Sequence, residues 1–147
     1  MPLKPRPRDV PKIPGAVRLY RVAAYITGVM LLLLVVEMVL KYTPLNTELQ
    51  LGGDGGFFVP RDSITTGINL STLILIAHGW LYVLYLFANF RLWSIMRWPF
   101  MRFIIIALGG VVPLLSFFVE HHMSRLALQQ YAELERENAQ TPEGAPA

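Results

Sequence analysis

Long apolar runs, separated by short charged connections, dominate the pattern of this 147-residue chain. The runs are Val22–Leu40, Ile68–Phe90 and Phe103–Val119. Each has the roughly 17–25 mostly apolar residues that an α-helix needs to cross a bilayer. Residues 120–138 are helix-forming but charged on one side, which is typical of a helix outside the membrane. The pattern predicts an all-α, polytopic membrane protein with three transmembrane helices and an extra-membrane C-terminal helix.

The composition agrees with a membrane domain and excludes several other classes of protein. Hydrophobic residues make up 54% of the chain and charged residues 16%, outside the usual range for soluble domains. Because the chain has no cysteine, disulfides and thiolate-ligated metal or iron–sulfur sites are excluded. The net charge of +3 comes from basic residues that flank the apolar runs, so we expect contacts with the lipid bilayer and no nucleic-acid binding.

The basic residues also predict an orientation in the membrane. Nine of them lie before the first run or between the second and third, and four lie in the first connection or after the third run. Because positively charged connections tend to stay in the cytoplasm, we expect a cytoplasmic N-terminus and an exterior C-terminus. Three crossings require the same opposite placement of the two ends.

The segments outside the runs differ in character. Residues 1–17 form a basic, proline-rich cytoplasmic arm, in which an early helix is expected to be broken by Pro2, Pro5, Pro7, Pro11 and Pro14. The membrane domain covers residues 18–121, and its outer connection, residues 41–67, contains a glycine cluster that indicates a flexible turn. Residues 122–147 combine the exterior amphipathic helix with a tail, from Gln140 onward, that is expected to be disordered.

Nearly all polar side chains of the second run fall on one helical face. At about 100° per residue, this stripe contains Ser71, Leu75, His78, Tyr82, Tyr85 and Asn89. Hydrocarbon cannot satisfy such groups, so the face should point into the helix bundle.

His78 lies near the middle of that run, where an ionisable side chain indicates a ligand-binding or proton-relay residue. Tyr82 and Tyr85 would extend the relay by hydrogen bonding. A structural interpretation competes with this one, in which a neutral imidazole joins two helices through a single hydrogen bond.

Three charged residues are predicted to form a structural ion cluster near the outer interface. Glu37 and Lys41 lie four residues apart on the first helix, in the right order for an ion pair. At about 1.5 Å per residue, Lys41 and Glu120 reach a similar depth. Lys41 should therefore bridge Glu37 and Glu120, although Glu37 with Lys41 could also coordinate an ion or a lipid headgroup.

Small residues and one proline predict where the helices pack closely, namely Gly28, Gly79, Gly109, Gly110 and Pro113. We expect no metal and no cofactor. His121 and His122 follow Glu120 directly, and adjacent helix positions point about 100° apart, so the three side chains cannot face one ion. The single histidine within a run has no second spanning histidine with which to hold a haem.

Several segments resemble a bacterial integral membrane family known as domain of unknown function 3817. The resemblance is carried by residues 21–29 and 39–42, His78–Tyr85, Arg97-Trp98 and Gly110–Glu120. It covers about Arg18 to His121 and implies a three-span protein with Lys41, His78, Pro113 and Glu120 on family-motif positions. It implies no activity. The chain differs from the family pattern in its longer outer connection and in the His121-His122 pair.

The preferred functional interpretation is non-catalytic. No nucleophile, base and orienting group are arranged as a set, so an enzyme is not expected, and a lipid-modifying enzyme is only a distant third class. Three spans have little capacity for a private substrate pathway, which favours an accessory or scaffold subunit of a cell-envelope complex that contacts another membrane protein. The alternative is an oligomeric carrier or proton-coupled transport module, formed by self-association, in which His78 lines a shared cavity.

Overall fold

The computed structural model describes residues 3–140 and is mostly helical. A 3-10 helix, Pro7–Lys12, leads into α1, Ile13–Tyr42. Three short strands follow: β1, Thr47–Leu51; β2, Phe58–Pro60; and β3, Ile68–Asn69. The remaining helices are α2, Leu70–Met96; α3, Phe100–Gly109; and α4, Leu115–Gln140. Residues 141–147, most of the predicted disordered tail, lie outside the described residues.

Two helices, α1 with its 3-10 extension and α2, are long and apolar enough to cross a membrane. They pack antiparallel, because the hydroxyl of Ser71 at the start of α2 donates to Glu37 near the end of α1, while the Tyr20 ring near the start of α1 contacts Tyr85 further along α2. We call the end with Tyr42 and the strands the sheet end, and the opposite end the arm end.

The N-terminal arm is more ordered than the proline pattern predicts. Pro14 lies in the first turn of α1, where its missing N–H would have had no helical partner and its fixed φ suits the helix. Val10 of the 3-10 helix is buried. The helix therefore begins well before the apolar run that predicts it.

The third apolar run does not form one helix, which corrects the expectation of a third crossing helix in residues 103–119. Helix α3 ends at Gly109, and a turn separates it from α4, which begins at Leu115. Pro113 cannot continue a helix, and Leu114 has a left-handed φ of 66°. Of the described residues, only α1 and α2 meet the criterion for a membrane span.

Helices α3 and α4 form a hairpin that returns to the arm end. Nδ2 of Asn89 on α2 donates a hydrogen bond to the carbonyl of Phe103 at 3.3 Å, and the earlier Tyr85 donates to the later Ile106. Helix α3 therefore runs antiparallel to α2. On α4, the Ser116 hydroxyl donates to the carbonyl of Ala24 at 3.0 Å. Further along α4, Oε2 of Glu137 forms an ion pair with Nζ of Lys4 at 2.9 Å. The end of α4 therefore lies beside the N-terminal arm, which differs from the predicted placement of the two ends on opposite sides.

The connection between α1 and α2 folds into a small sheet, and the predicted turn at the glycine cluster joins β1 to β2. The strand order is β2-β1-β3, with both pairs antiparallel. The Gln50 amide donates to the carbonyls of Asp54 and Gly56 at 2.7 and 2.9 Å, which fixes the glycine-rich turn. Gly55 and Gly56 adopt positive φ values of 96° and 89°, which only glycine accepts easily.

Candidate functional site

A buried carboxylate joins α1 to α4 near the arm end. Glu120 is only 1% exposed, and its Oε1 accepts hydrogen bonds from Arg21 Nε at 2.9 Å and from Ser124 Oγ at 2.8 Å. The Tyr25 side chain also contacts this carboxylate. Because Arg21 neutralises the charge and Ser124 satisfies a second lone pair, Glu120 can be buried without a large desolvation penalty. We call Arg21, Glu120 and Ser124 the inner cluster.

Two tyrosines of the predicted relay stabilise the end of α3. The last carbonyls of an α-helix lack helical donors, and the end of α3 lies next to the middle of α2. The hydroxyl of Tyr82 donates to the carbonyl of Ala107 at 3.1 Å, and that of Tyr85 donates to the carbonyl of Ile106. Both hydroxyl protons are therefore engaged with backbone, which gives these residues a structural role in holding the hairpin.

His78 lies on the seam between α1 and α2, just beyond the hairpin turn toward the sheet end. Its half-buried ring stacks on Tyr82 with 6.4 Å between ring centroids and faces the backbone of Thr27. Among the described residues, its Nδ1 has no hydrogen-bond partner. Of the three predicted relay residues, His78 alone therefore retains an unsatisfied ionisable atom.

The predicted cluster of Glu37, Lys41 and Glu120 does not form. Lys41 pairs instead with Glu48 of β1, and Glu37 accepts a hydrogen bond from Ser71. Glu120 lies at the other end of α1 because the α3–α4 hairpin turns back halfway along α2. The prediction failed because it placed Glu120 at the end of a full crossing helix.

The ion pair between Lys41 and Glu48 anchors the sheet to α1. The Glu48 side chain is 3% exposed and also accepts a hydrogen bond from the backbone N–H of Asp62 at 3.1 Å. The hydrogen bond from Lys41 lowers the pKa of Glu48 against the opposing effect of burial. The carboxylate is therefore ionised at neutral pH and holds two segments of the outer connection together.

The polar seam of α1 and α2 is incomplete on the sheet side of the hairpin turn. Glu37 is 5% exposed, and its Oε1 has no partner within residues 3–140. Together with Nδ1 of His78, this leaves two unsatisfied polar atoms in the part of α1 and α2 that the α3–α4 hairpin does not cover. Such atoms are expensive in an apolar medium unless another group reaches them.

The predicted packing residues behave differently from one another. A Cβ added at Gly28 would lie 3.0 Å from the Phe117 ring, and one at Gly110 would lie 2.6 Å from the Tyr82 ring. Gly109 would meet the Tyr85 hydroxyl at 3.1 Å. No atom of residues 3–140 lies within 4 Å of a Cβ at Gly79, so this glycine makes no close contact within the described structure.

Residues of the inner cluster were partly missed by sequence reasoning. The sequence identifies Arg21 only as one of the basic residues that predict the orientation in the membrane. Its partner Glu120 lies 99 residues away, so no local pattern connects them. Ser124 could have been found, because Ser116, Glu120 and Ser124 recur every four residues on one face of α4. Within residues 3–140, no three His, Cys, Asp or Glu side chains are grouped so that they could hold a metal ion.

Comparison with known proteins identifies bacterial relatives of this sequence. The family described as "Domain of unknown function (DUF3817)" matches residues 17–125. Uncharacterised proteins of Mycobacterium bovis and Mycobacterium tuberculosis are each 30% identical over 116 residues, which cover 79% of this chain and 79% of theirs. An uncharacterised protein of Mycobacterium leprae is 38% identical over 50 residues, or 34% of this chain and 42% of that protein. No solved structure matches the chain.

Proposed function

Because the chain belongs to the DUF3817 family, whose description assigns no activity, we propose its role from its own geometry. It is a non-catalytic, multi-pass protein of the bacterial cell membrane that serves as an accessory subunit of a larger membrane complex. In this proposal α1 and α2 cross the bilayer, and the α3–α4 hairpin enters only its cytoplasmic half.

The accessory role rests on the surface of α1 and α2 on the sheet side of the hairpin turn. On the sheet side of the hairpin turn, Glu37 Oε1 and His78 Nδ1 have no partner among the described residues. Polar groups at membrane depth normally find partners within a helix bundle. Both atoms are buried inside the chain, so another membrane protein packed against this part of α1 and α2 would reach them only if neighbouring side chains moved aside.

A shallow depression on the exposed surface of α2 supports the accessory role. Gly79 lies between Ile76, Trp80 and Val83, which line a shallow apolar depression, and Trp80 is 75% exposed. Because none of the described residues fills the space above Gly79, a partner helix could approach the α2 backbone there. The depression therefore marks a helix-packing surface that this chain does not use itself.

The distribution of charge supports a cytoplasmic arm end. With α4 folded back, the arginines of α4 join those of the arm and of the α2–α3 connection. Eleven of the 13 basic residues then belong to the arm-end half, and only Lys41 and Arg61 belong to the sheet end. This bias is stronger than the one that predicted three crossings, and it supports a cytoplasmic location for both described ends of the chain.

Cysteine labelling tests this topology without background, because the chain has no cysteine. The single variants Arg6→Cys, Thr65→Cys and Asn138→Cys place a thiol at exposed positions in the arm, the sheet end and α4. A membrane-impermeant maleimide should label position 65 in intact cells and positions 6 and 138 only after permeabilisation. Labelling of position 138 but not position 6 in intact cells would restore three crossings.

Co-purification tests the accessory role. The wild-type chain, extracted from its native membrane in mild detergent, should carry a second membrane protein in constant ratio. Gly79→Leu should fill the α2 depression and release that protein without changing the thermal stability of the chain itself. Gly15→Leu is the matched control, since it also adds a side chain in open space but near the start of α1. Recovery of the wild-type chain alone would contradict an accessory role.

A second candidate is a proton-coupled module in which several copies surround His78. The free Nδ1 of His78 favours it, because an imidazole titrates near neutral pH. Proteoliposomes containing the wild-type chain should then show a pH-dependent proton flux that His78→Ala abolishes and Tyr82→Phe retains. An equal flux with His78→Ala would exclude this candidate.

A further inference from the structure

A cationic groove runs between α1 and α4 beside the inner cluster. It has a volume of about 370 Å³ and is lined by Arg21, His121, Arg125, Leu128, Gln129 and Ala132. None of these lining residues carries a carboxylate. Arg125 and His121 lie four residues apart, so both point to one side of α4. The groove therefore brings together the hydrogen-bond donors of Arg21, His121 and Arg125 between two helices, with Arg21 already paired to Glu120.

The inner cluster holds one wall of this groove in a fixed position. Glu120 accepts a hydrogen bond from Nε of Arg21, while the Arg21 side chain remains 48% exposed. A guanidinium has five N–H donors, so four remain after this bond. Because Glu120 restricts the arginine, less side-chain entropy is lost when an anion binds to it.

Apolar side chains continue the same surface toward the hairpin turn. Tyr25 lies one turn after Arg21 on α1, and Phe118 lies one turn before His121 on α4. They are 45% and 73% exposed. Passing from Arg125 to Phe118, the surface thus changes from cationic to apolar, in the order in which a phospholipid changes from phosphate to acyl chain.

We propose that this groove binds the phosphate headgroup of an anionic phospholipid, with the acyl chains against Tyr25 and Phe118. The proposal rests on the membrane placement proposed above, in which the arm end faces the cytoplasmic leaflet. Arginine fits a phosphate because its planar donors can bind two oxygens at once. Basic grooves between helices at this leaflet are typical sites for anionic headgroups. A lipid that bridges α1 and α4 would stabilise the hairpin against α1.

Thermal unfolding of the purified full chain in mild detergent tests the site. The probes are dioctanoyl phosphatidylglycerol, dioctanoyl phosphatidylcholine and inorganic phosphate at equal concentrations. Phosphatidylglycerol should raise the unfolding temperature in a saturable, salt-sensitive manner, and the other two should not. The double variant His121→Gln/Arg125→Gln should weaken the apparent affinity for phosphatidylglycerol by roughly tenfold or more, as expected for the loss of charge-assisted hydrogen bonds.

Arg136→Gln provides the matched control, because it removes the same charge from α4 at an exposed position outside the groove. It should bind phosphatidylglycerol as the wild type does. The single variant Arg125→Gln gives a second measurement if the double variant does not yield folded protein, and it should also bind more weakly.

Three outcomes would overturn the proposal. Equal stabilisation by phosphatidylcholine would show general lipid binding, equal stabilisation by inorganic phosphate would show a site for free phosphate, and an equal loss with Arg136→Gln would show a general effect of charge. Lipid binding is measured on the isolated chain, so its failure is distinct from a failure to co-purify a partner protein or from a different labelling pattern.

Discussion

Gly110→Ala tests the hairpin at its tightest contact. A Cβ at this position would lie 2.6 and 2.7 Å from two ring carbons of Tyr82 and 2.9 Å from a ring carbon of Tyr85. Carbon atoms pack best at about 3.5–4.0 Å, so each of these contacts is too short by roughly 1 Å. Tyr85 is fully buried and bonded to Ile106, which prevents it from moving aside.

We therefore expect the variant to lose about 1–3 kcal/mol of stability, the usual cost of adding a methyl group to a filled site. For a chain of this size, each kcal/mol lowers the unfolding temperature by roughly 2–4 °C. The assay is thermal unfolding in mild detergent, followed by the near-ultraviolet signal of the tyrosines. Gly79→Ala is the matched control on α2, because its Cβ would meet no atom within 4 Å, and it should cost nothing.

Repeating the measurement in a Tyr82→Ala variant separates the steric clash with the Tyr82 ring from other effects of the added methyl group. In a Tyr82→Ala chain, two of the three short contacts at Gly110 no longer exist, so Gly110→Ala should cost clearly less than in the wild type. An unfolding temperature for Gly110→Ala equal to that of the wild type would refute the placement of the α3–α4 turn against the middle of α2.

The remaining predictions concern the two ends of the structure. The hydrogen bond from Lys41 holds the pKa of Glu48 below its usual 4.5; the stability that Glu48 contributes is therefore complete above pH 4.5 and is lost as the pH falls through its lower folded-state pKa. Amide exchange in β1 should accelerate in that acidic range, and Glu48→Gln should remove the pH dependence. Trp98→Phe, which deletes the 2.9 Å bond from Nε1 to Gln130, should destabilise the chain by about 0.5–1.5 kcal/mol and increase proteolysis of α4. Ser116→Ala removes a buried bond to the α1 backbone and should lower the unfolding temperature by a similar free energy, whereas an unchanged temperature would contradict close packing of α4 on α1.

The sequence predicts α1 and α2 well because their signal is local. A long apolar run has few alternatives to a membrane-spanning helix, since backbone groups must be satisfied within the segment. The stripe on α2 also predicts correctly that Tyr85 and Asn89 are buried. Helix ends were less predictable, because α1 extends into a polar segment where Pro14 is tolerated in the first turn.

The hairpin could not be predicted from hydropathy. The hydropathy summed over residues 103–119 is high whether the segment is one straight helix or two helices joined by a turn. Gly109 and Gly110 fit two arrangements equally well. They could lie on the closely packed face of one straight helix, or they could mark the end of a shorter helix. Long-range contacts distinguish the two arrangements, such as those of Tyr82 and Tyr85 with the end of α3 and that of Ser116 with Ala24. The partner of Glu120 depends on the hairpin, so the error in topology led directly to the error in the ion cluster.

In the proposed membrane placement, the hydrogen bonds that end α3 also imply an order of insertion. The carbonyl of Ile106 depends on the Tyr85 hydroxyl of α2, whereas that of Ala107 accepts the N–H of Gly110 as well as the Tyr82 hydroxyl. In hydrocarbon without the Tyr85 hydroxyl, the unsatisfied carbonyl of Ile106 would cost several kcal/mol. The α3–α4 segment should therefore remain at the membrane surface until α1 and α2 have inserted and paired. The insertion machinery would then handle only two helices, and the α3–α4 turn would enter the cytoplasmic half of the bilayer as a folding step after synthesis.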